Sequence, residues 1–150
     1  MLKTFEEYIN EAKLPEFDHE TTDIDELRDY IKDNYESKWI DRVERMHAYK
    51  LDKGGVDSTI LNIPVYYDKS TTTLCYLTVE YFKEGKKSIS FSQMLAKKLD
   101  NIDDQKWENL KDTMEQAYKD GKICNEFMIW TLDKMIETLG KDACIQKKEK

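Results

Sequence analysis

Thr71–Lys83, TTTLCYLTVEYFK, is the stretch on which the fold turns. β-branched and aromatic residues dominate it, and Leu74, Tyr76, Thr78, Glu80 and Phe82 alternate with Cys75, Leu77, Val79 and Tyr81. Strand side chains point alternately to the two faces, so this run carries apolar surface on much of both. A strand of that kind belongs inside a sheet, with helices over one face and a partner over part of the other. Thr59–Tyr67 (TILNIPVYY) precedes it and Lys87–Phe91 (KSISF) follows. The connections Asp68-Lys69-Ser70 and Glu84-Gly85-Lys86 are hairpin-sized. Pro64 lacks a ladder donor, which places the first run at an edge or gives it a bulge. The expectation is a small three-stranded antiparallel sheet.

Helices flank the sheet. Upstream, Leu27, Ile31, Tyr35, Trp39, Val43 and Met46 recur every three or four residues. With Thr22 or Asp23 as cap, this spacing predicts one long helix from about Asp23 to Tyr49. A break near Asn34–Lys38, with a strand after it, would put Asp41 and Arg45 on the face of Trp39 and Val43, which favours the unbroken helix. Gly54-Gly55 and Asp57 mark a turn. Downstream, Ser90 or Ser92 opens a short helix ending at Leu99, and Asp103 opens another carrying Trp107, Leu110, Met114 and Tyr118 and stopping at Gly121. A last helix runs from about Ile123 to Leu139 and ends at Gly140. The polar tail from Lys141, closing in Gln-Lys-Lys-Glu-Lys, reads as frayed. The fold class is therefore α+β: the small sheet packed with a long N-terminal helix and C-terminal helices, in one domain over residues 17–150.

Composition limits what the domain does. The formal charge is −7, and phosphate contacts need Lys and Arg, so direct nucleic-acid binding is not expected. No apolar run is long enough to span a membrane. Cys75, Cys124 and Cys144 are odd in number and widely spaced, which argues for a reducing compartment and against a disulfide framework. No Cys/His spacing suits zinc, and no glycine loop suits phosphate, so neither metal nor cofactor is expected. His47 with Cys75, or Glu80 with Asp41, are the pairs that would have to meet for catalysis. No local signature supports either, and the chain reads as a non-enzyme.

The first sixteen residues, MLKTFEEYINEAKLPE, stand apart. Thr4 and Glu7 have capping-box spacing, and Glu6 and Glu7 suit the positive end of a helix dipole. Phe5, Tyr8, Ile9 and Ala12 form one apolar stripe. Pro15 ends the helix and biases Leu14 to an extended backbone. A helix this short needs a partner, either its own domain or another protein. Residues 17–22 (FDHETT) read as a polar linker.

The pattern Lys3, Thr4, Phe5, Glu7, Tyr8, Ile9, Glu11 and Ala12 resembles the capsid-targeting leader of internal head proteins of T-even-like tailed bacteriophages. The resemblance covers about a tenth of the chain. It implies that the leader directs the protein to the phage prohead core, and that a maturation protease cuts after the Glu of a Leu/Ile-x-Glu tripeptide. Leu14-Pro15-Glu16 fits that tripeptide, with Phe17 as the new N-terminus. Ile24-Asp25-Glu26 is a second candidate, whereas Ile9-Asn10-Glu11 lies inside the expected helix. Residues 1–16 carry two lysines against four glutamates, so trimming would leave a domain of charge −5. The resemblance further implies packaging in the virion interior, injection into the host cytoplasm with the genome, and binding of a host defence protein such as a restriction-type enzyme. The alternative is an unpackaged cytosolic phage accessory protein that binds a host enzyme, with residues 1–16 as the first helix of its fold.

Overall fold

The computed structural model describes residues 22–48, 57–83, 85–102 and 104–149. They form an α+β fold whose main sheet has four antiparallel strands rather than three, joined by a second sheet of two. Helix α1 spans Ile24–Asn34. The Asp23 carboxylate accepts from the N–H groups of Asp25 (2.9 Å) and Glu26 (3.3 Å), satisfying two orphan donors of the first turn. Ile24, Leu27 and Ile31 bury one stripe of the helix.

The helix does not continue to Tyr49 as its periodicity suggests. Asn34 turns its own Nδ2 onto the Tyr30 carbonyl, 2.8 Å away, and Tyr35 swings to extended backbone at φ −127°, ψ 157°. Tyr35–Glu36 becomes strand β1, Ile40–Arg42 a single 3-10 turn, and Arg45–Ala48 strand β2. The apolar residues of the supposed stripe find separate partners. Trp39 stacks on Tyr67 with ring centroids 4.9 Å apart, and Val43 enters the core. Met46 lies on β2, where it is 50 % exposed. Asp41 is exposed on the 3-10 turn and Arg45 is exposed on an outer strand, so neither is an obstacle to a break here.

The main sheet has the order β2-β3-β4-β5, with β3 Ser58–Asp68, β4 Thr73–Phe82 and β5 Lys87–Phe91. Leu61 pairs with Val79 and Val79 with Ile89, which aligns the core-facing residues of three strands. The register slips between Pro64 and Tyr66, so Pro64 sits at a bulge. Alternation along β4 holds throughout: Cys75, Leu77, Val79 and Tyr81 are buried, and the residues between them are half-buried. On the second face Thr78 donates to Asn62 (2.6 Å) and Ser58 donates to Glu80. Those cross-strand pairs satisfy the polar groups without a covering partner.

Three helices follow: α2 Gln93–Ile102, α3 Asp104–Lys119 and α4 Asn125–Leu139. Ser92 caps α2, its Oγ accepting from the Leu95 N–H. Gly121, at φ +66°, ends the α3 turn in the left-handed region that glycine enters without strain. Leu95, Leu99, Trp107, Leu110, Phe127, Leu132 and Met135 close the core against the sheet. Tyr118 does not join the α3 stripe; it is 58 % exposed.

The tail is not frayed at Lys141. After a 3-10 turn at Gly140–Asp142, Ala143 bridges to Tyr66, and the Cys144 N–H donates to the carbonyl of Val65 at the β3 bulge (2.9 Å). Ile145 is fully buried. Strand β6, Gln146–Lys147, then pairs antiparallel with β1. The bulge has a use here: it frees a central-strand carbonyl to hold the returning chain.

Candidate functional site

The leader residues Thr4, Phe5, Glu7, Tyr8, Ile9, Glu11 and Ala12, and the cleavage residues Leu14, Pro15, Glu16 and Phe17, lie outside the described residues, as do the linker through Thr21 and the Gly54-Gly55 turn. The second tripeptide, Ile24-Asp25-Glu26, forms the first turn of α1 with Ile24 buried. A protease needs extended, accessible backbone, so that site is closed while the domain is folded.

The pairs that would carry catalysis do not assemble. His47 stands opposite Thr59, whereas Cys75 stands opposite Tyr66, seven residues further along β3. At about 3.3 Å per residue that separates them by roughly 20 Å. Glu80 accepts from Ser58, and Asp41 sits on the exposed 3-10 turn. Cys75 and Cys124 are buried, and burial pushes the Cys144 thiol up to about 12, away from a reactive thiolate. No cluster of three metal-binding side chains occurs among the described residues. Trp107 is buried, while Trp39 and Trp130 are half-buried against Tyr67 and Phe127.

One polar node is built with care. Asn125, at the start of α4, is 3 % exposed. Its Oδ1 accepts from the Tyr81 hydroxyl (3.0 Å), and its Nδ2 donates to the Asp23 carbonyl (2.7 Å). Burial raises the Tyr81 phenol well above its ordinary range, with Cys124 and Glu126 adding to the effect. Beside it is a cleft of about 140 Å³ lined by Asp23, Asp25, Arg45, Thr59 and Tyr81. Asp25 is engaged there by Arg28 (3.2 Å) and Arg45 (3.0 Å). The node joins sheet, α1 and α4 through satisfied groups, and its work is structural.

The larger concavity lies between β5 and α3, a place that sequence reasoning missed. Two adjoining cavities of about 430 and 360 Å³ share Tyr118 and Ile123. Ile89, Phe91 and Met114 form the apolar part of the first, with Lys111 and Glu115 beside them. Lys86, Lys87 and Lys119 line the second. Lys111 bridges to Glu108 (2.7 Å), and Lys119 to Glu115 (3.3 Å). The sequence signal available was Lys111, Met114, Glu115 and Tyr118, one face of α3 at helical spacing. Assigning Tyr118 to the core concealed it.

No family model matches the chain, and no curated protein or solved structure matches it either. Among the described residues no helix is long and apolar enough to cross a membrane.

Proposed function

We propose that the protein is an internal head protein of a T-even-like tailed phage, packaged through a cleavable leader and delivered with the genome to bind and inhibit a host defence enzyme. The observation that carries this reading is the N-terminal pattern Lys3-Thr4-Phe5, Glu7-Tyr8-Ile9 and Glu11-Ala12, followed at once by Leu14-Pro15-Glu16. Binding rather than turnover is supported by a groove with apolar walls and an exposed tyrosine, a residue favoured at interfaces because it offers large area and a polar tip. Mass spectrometry of purified virions tests the proposal. The expected result is a chain beginning at Phe17. Absence from virions, or presence only with residues 1–16 attached, defeats it.

The second reading, an unpackaged accessory protein acting on a host enzyme, is favoured by one observation. The trimmed domain would keep a charge of −5, which suits dense DNA poorly. Hydrogen exchange on the full chain separates the two: strong protection of Phe5, Tyr8 and Ile9 supports the unpackaged form.

A further inference from the structure

Among the described residues, the outer strand β5 has one paired side and one free side. It bonds to β4, and no other described strand lies beyond it. An exposed edge is a template for another strand, and proteins protect such edges when pairing is unwanted. Here the free side borders the groove along α3, where Ile89 and Phe91 are half-buried over a floor of buried Met114 and Ile123, and Tyr118 stands out into solvent.

Charge decides what fits. The chain has 31 acids against 24 bases, yet among the described residues four lysines and a single acid line the two cavities. Lys111 and Lys119 are already paired, so their pull on a ligand is reduced. Lys86 and Lys87 make no ion pair among the described residues, and they stand at the entry to β5. Positive charge there disfavours a basic strand and attracts one of opposite sign.

We propose that the β5–α3 groove docks an extended, acidic and apolar segment of a partner protein, which adds to the main sheet as a fifth strand beside β5. Main-chain hydrogen bonds to the Lys87–Phe91 edge would supply affinity. Alternate apolar side chains would lie against Ile89, Phe91 and Tyr118, and acidic ones would face Lys86, Lys87 and Lys119. The inference rests on the reading of this protein as a protein binder and is independent of packaging.

The test uses the isotope-labelled full chain and a capped peptide of alternating glutamate and valine. Three comparison probes accompany it: the same peptide with lysine for glutamate, a version N-methylated at alternate amides, and the full chain carrying K86E and K87E. The expected result is shifts at the Ser88–Phe91 amides with the acidic peptide, at least about tenfold weakening by N-methylation or by the double charge reversal, and no binding of the lysine peptide. Spectra of the double variant establish that it is folded. Several results overturn the proposal: no response at β5 up to about 1 mM peptide, equal binding of the lysine peptide, shifts centred on Tyr76 and Phe82 instead, or β5 amides already protected in the free chain by its own residues. Loss of this binding would leave a virion result untouched, and absence from virions would leave the groove untouched, so the two failures are distinct.

Discussion

The hydroxyl of Tyr35 donates to the carboxylate of Asp133, a residue 98 positions later in the chain. The same carboxylate meets Lys147 at 3.0 Å, and Lys147 is the strand partner of Tyr35. Three separate segments therefore converge where α1 ends: β1, α4 and β6.

Removing the Tyr35 hydroxyl tests that convergence. The Tyr35 side chain is almost wholly buried, and its partner is charged, so Tyr35→Phe should cost about 1.5–3 kcal/mol. Lys147 is 64 % exposed, and Lys147→Ala should cost no more than about 1 kcal/mol. Urea unfolding of both variants gives the comparison. Equal losses would mean that the ion pair, and not the buried hydroxyl, holds the junction.

The returning tail yields a second prediction. Ile145 is fully buried in an otherwise polar segment, so Ile145→Ala should cost about 2–5 kcal/mol. Ending the chain after Lys148 should change stability by less than about 0.5 kcal/mol, because the last bond described there is Lys148 N–H to the Asn34 carbonyl. A thermal or urea midpoint insensitive to Ile145→Ala would show that the tail contributes nothing.

These two cases explain what the sequence revealed and what it hid. Helices α2 to α4 and strands β3 to β5 carry local signals: period, the Ser92 cap, the Asp68 turn, and glycines at 121 and 140. The stretch from Tyr35 to Met46 also keeps a helical period, but its residues answer to distant partners, Asp133 for Tyr35 and Tyr67 for Trp39. No local pattern encodes those. A single isoleucine among charged residues is likewise too weak a signal for a buried strand end. The groove went unseen because Tyr118 fits a core stripe on paper; only the position of β5 beside α3 leaves it outside.

Stability should fall at both ends of the pH scale, for different groups. Burial raises the Cys144 thiol to about 12 and raises the Tyr35 and Tyr81 phenols above their ordinary value. The folded state then holds protons that the unfolded chain releases. Stabilisation is complete below about pH 8.5 and is lost as pH rises toward 12. At the acid end, the Ser70 hydroxyl and nearby N–H groups hold Asp68 below the usual carboxylate range, and Lys32 does the same for Glu44. Their contribution is present above about pH 4 and disappears as pH falls through the lowered values. Urea midpoints across pH 3–11 should trace a plateau with both shoulders. Cys144→Ser should flatten the first part of the alkaline shoulder, and an unchanged shoulder would exclude the thiol.

Asn125 offers a sharper test of the polar node. Asn125→Ala strands the Tyr81 hydroxyl, an unpaired group costing about 1–3 kcal/mol, and takes one of two donors from the Asp23 carbonyl, which keeps the Leu27 N–H at 3.1 Å. Tyr81→Phe removes one partner only and should cost less. In the double variant the Tyr81 part of the penalty has already gone, so the losses should sum to less than the two single values. Additive losses would mean that the Tyr81–Asn125 bond is not formed in solution.

The β3–β4 turn contains the one described non-glycine residue with positive φ, Thr72 at +53°. A β-branched side chain is poorly suited to the left-handed region, and holding one there costs on the order of 1–3 kcal/mol. Its hydroxyl donates to the Thr71 carbonyl at 2.7 Å, a bond formed across a single residue that offsets little of this strain. Asparagine enters the same region readily and keeps an ordinary unfolded-state entropy, so Thr72→Asn should stabilise by about 0.5–1 kcal/mol. Thr72→Gly relieves the strain equally but gives the unfolded chain more freedom, and should gain less. Thr72→Val keeps the branch, loses the hydroxyl and should destabilise. The order Asn, Gly, Thr, Val in thermal midpoint is the expected result. A threonine chain more stable than the asparagine variant would show that the turn is shaped by the Thr72 hydroxyl rather than strained by its branch.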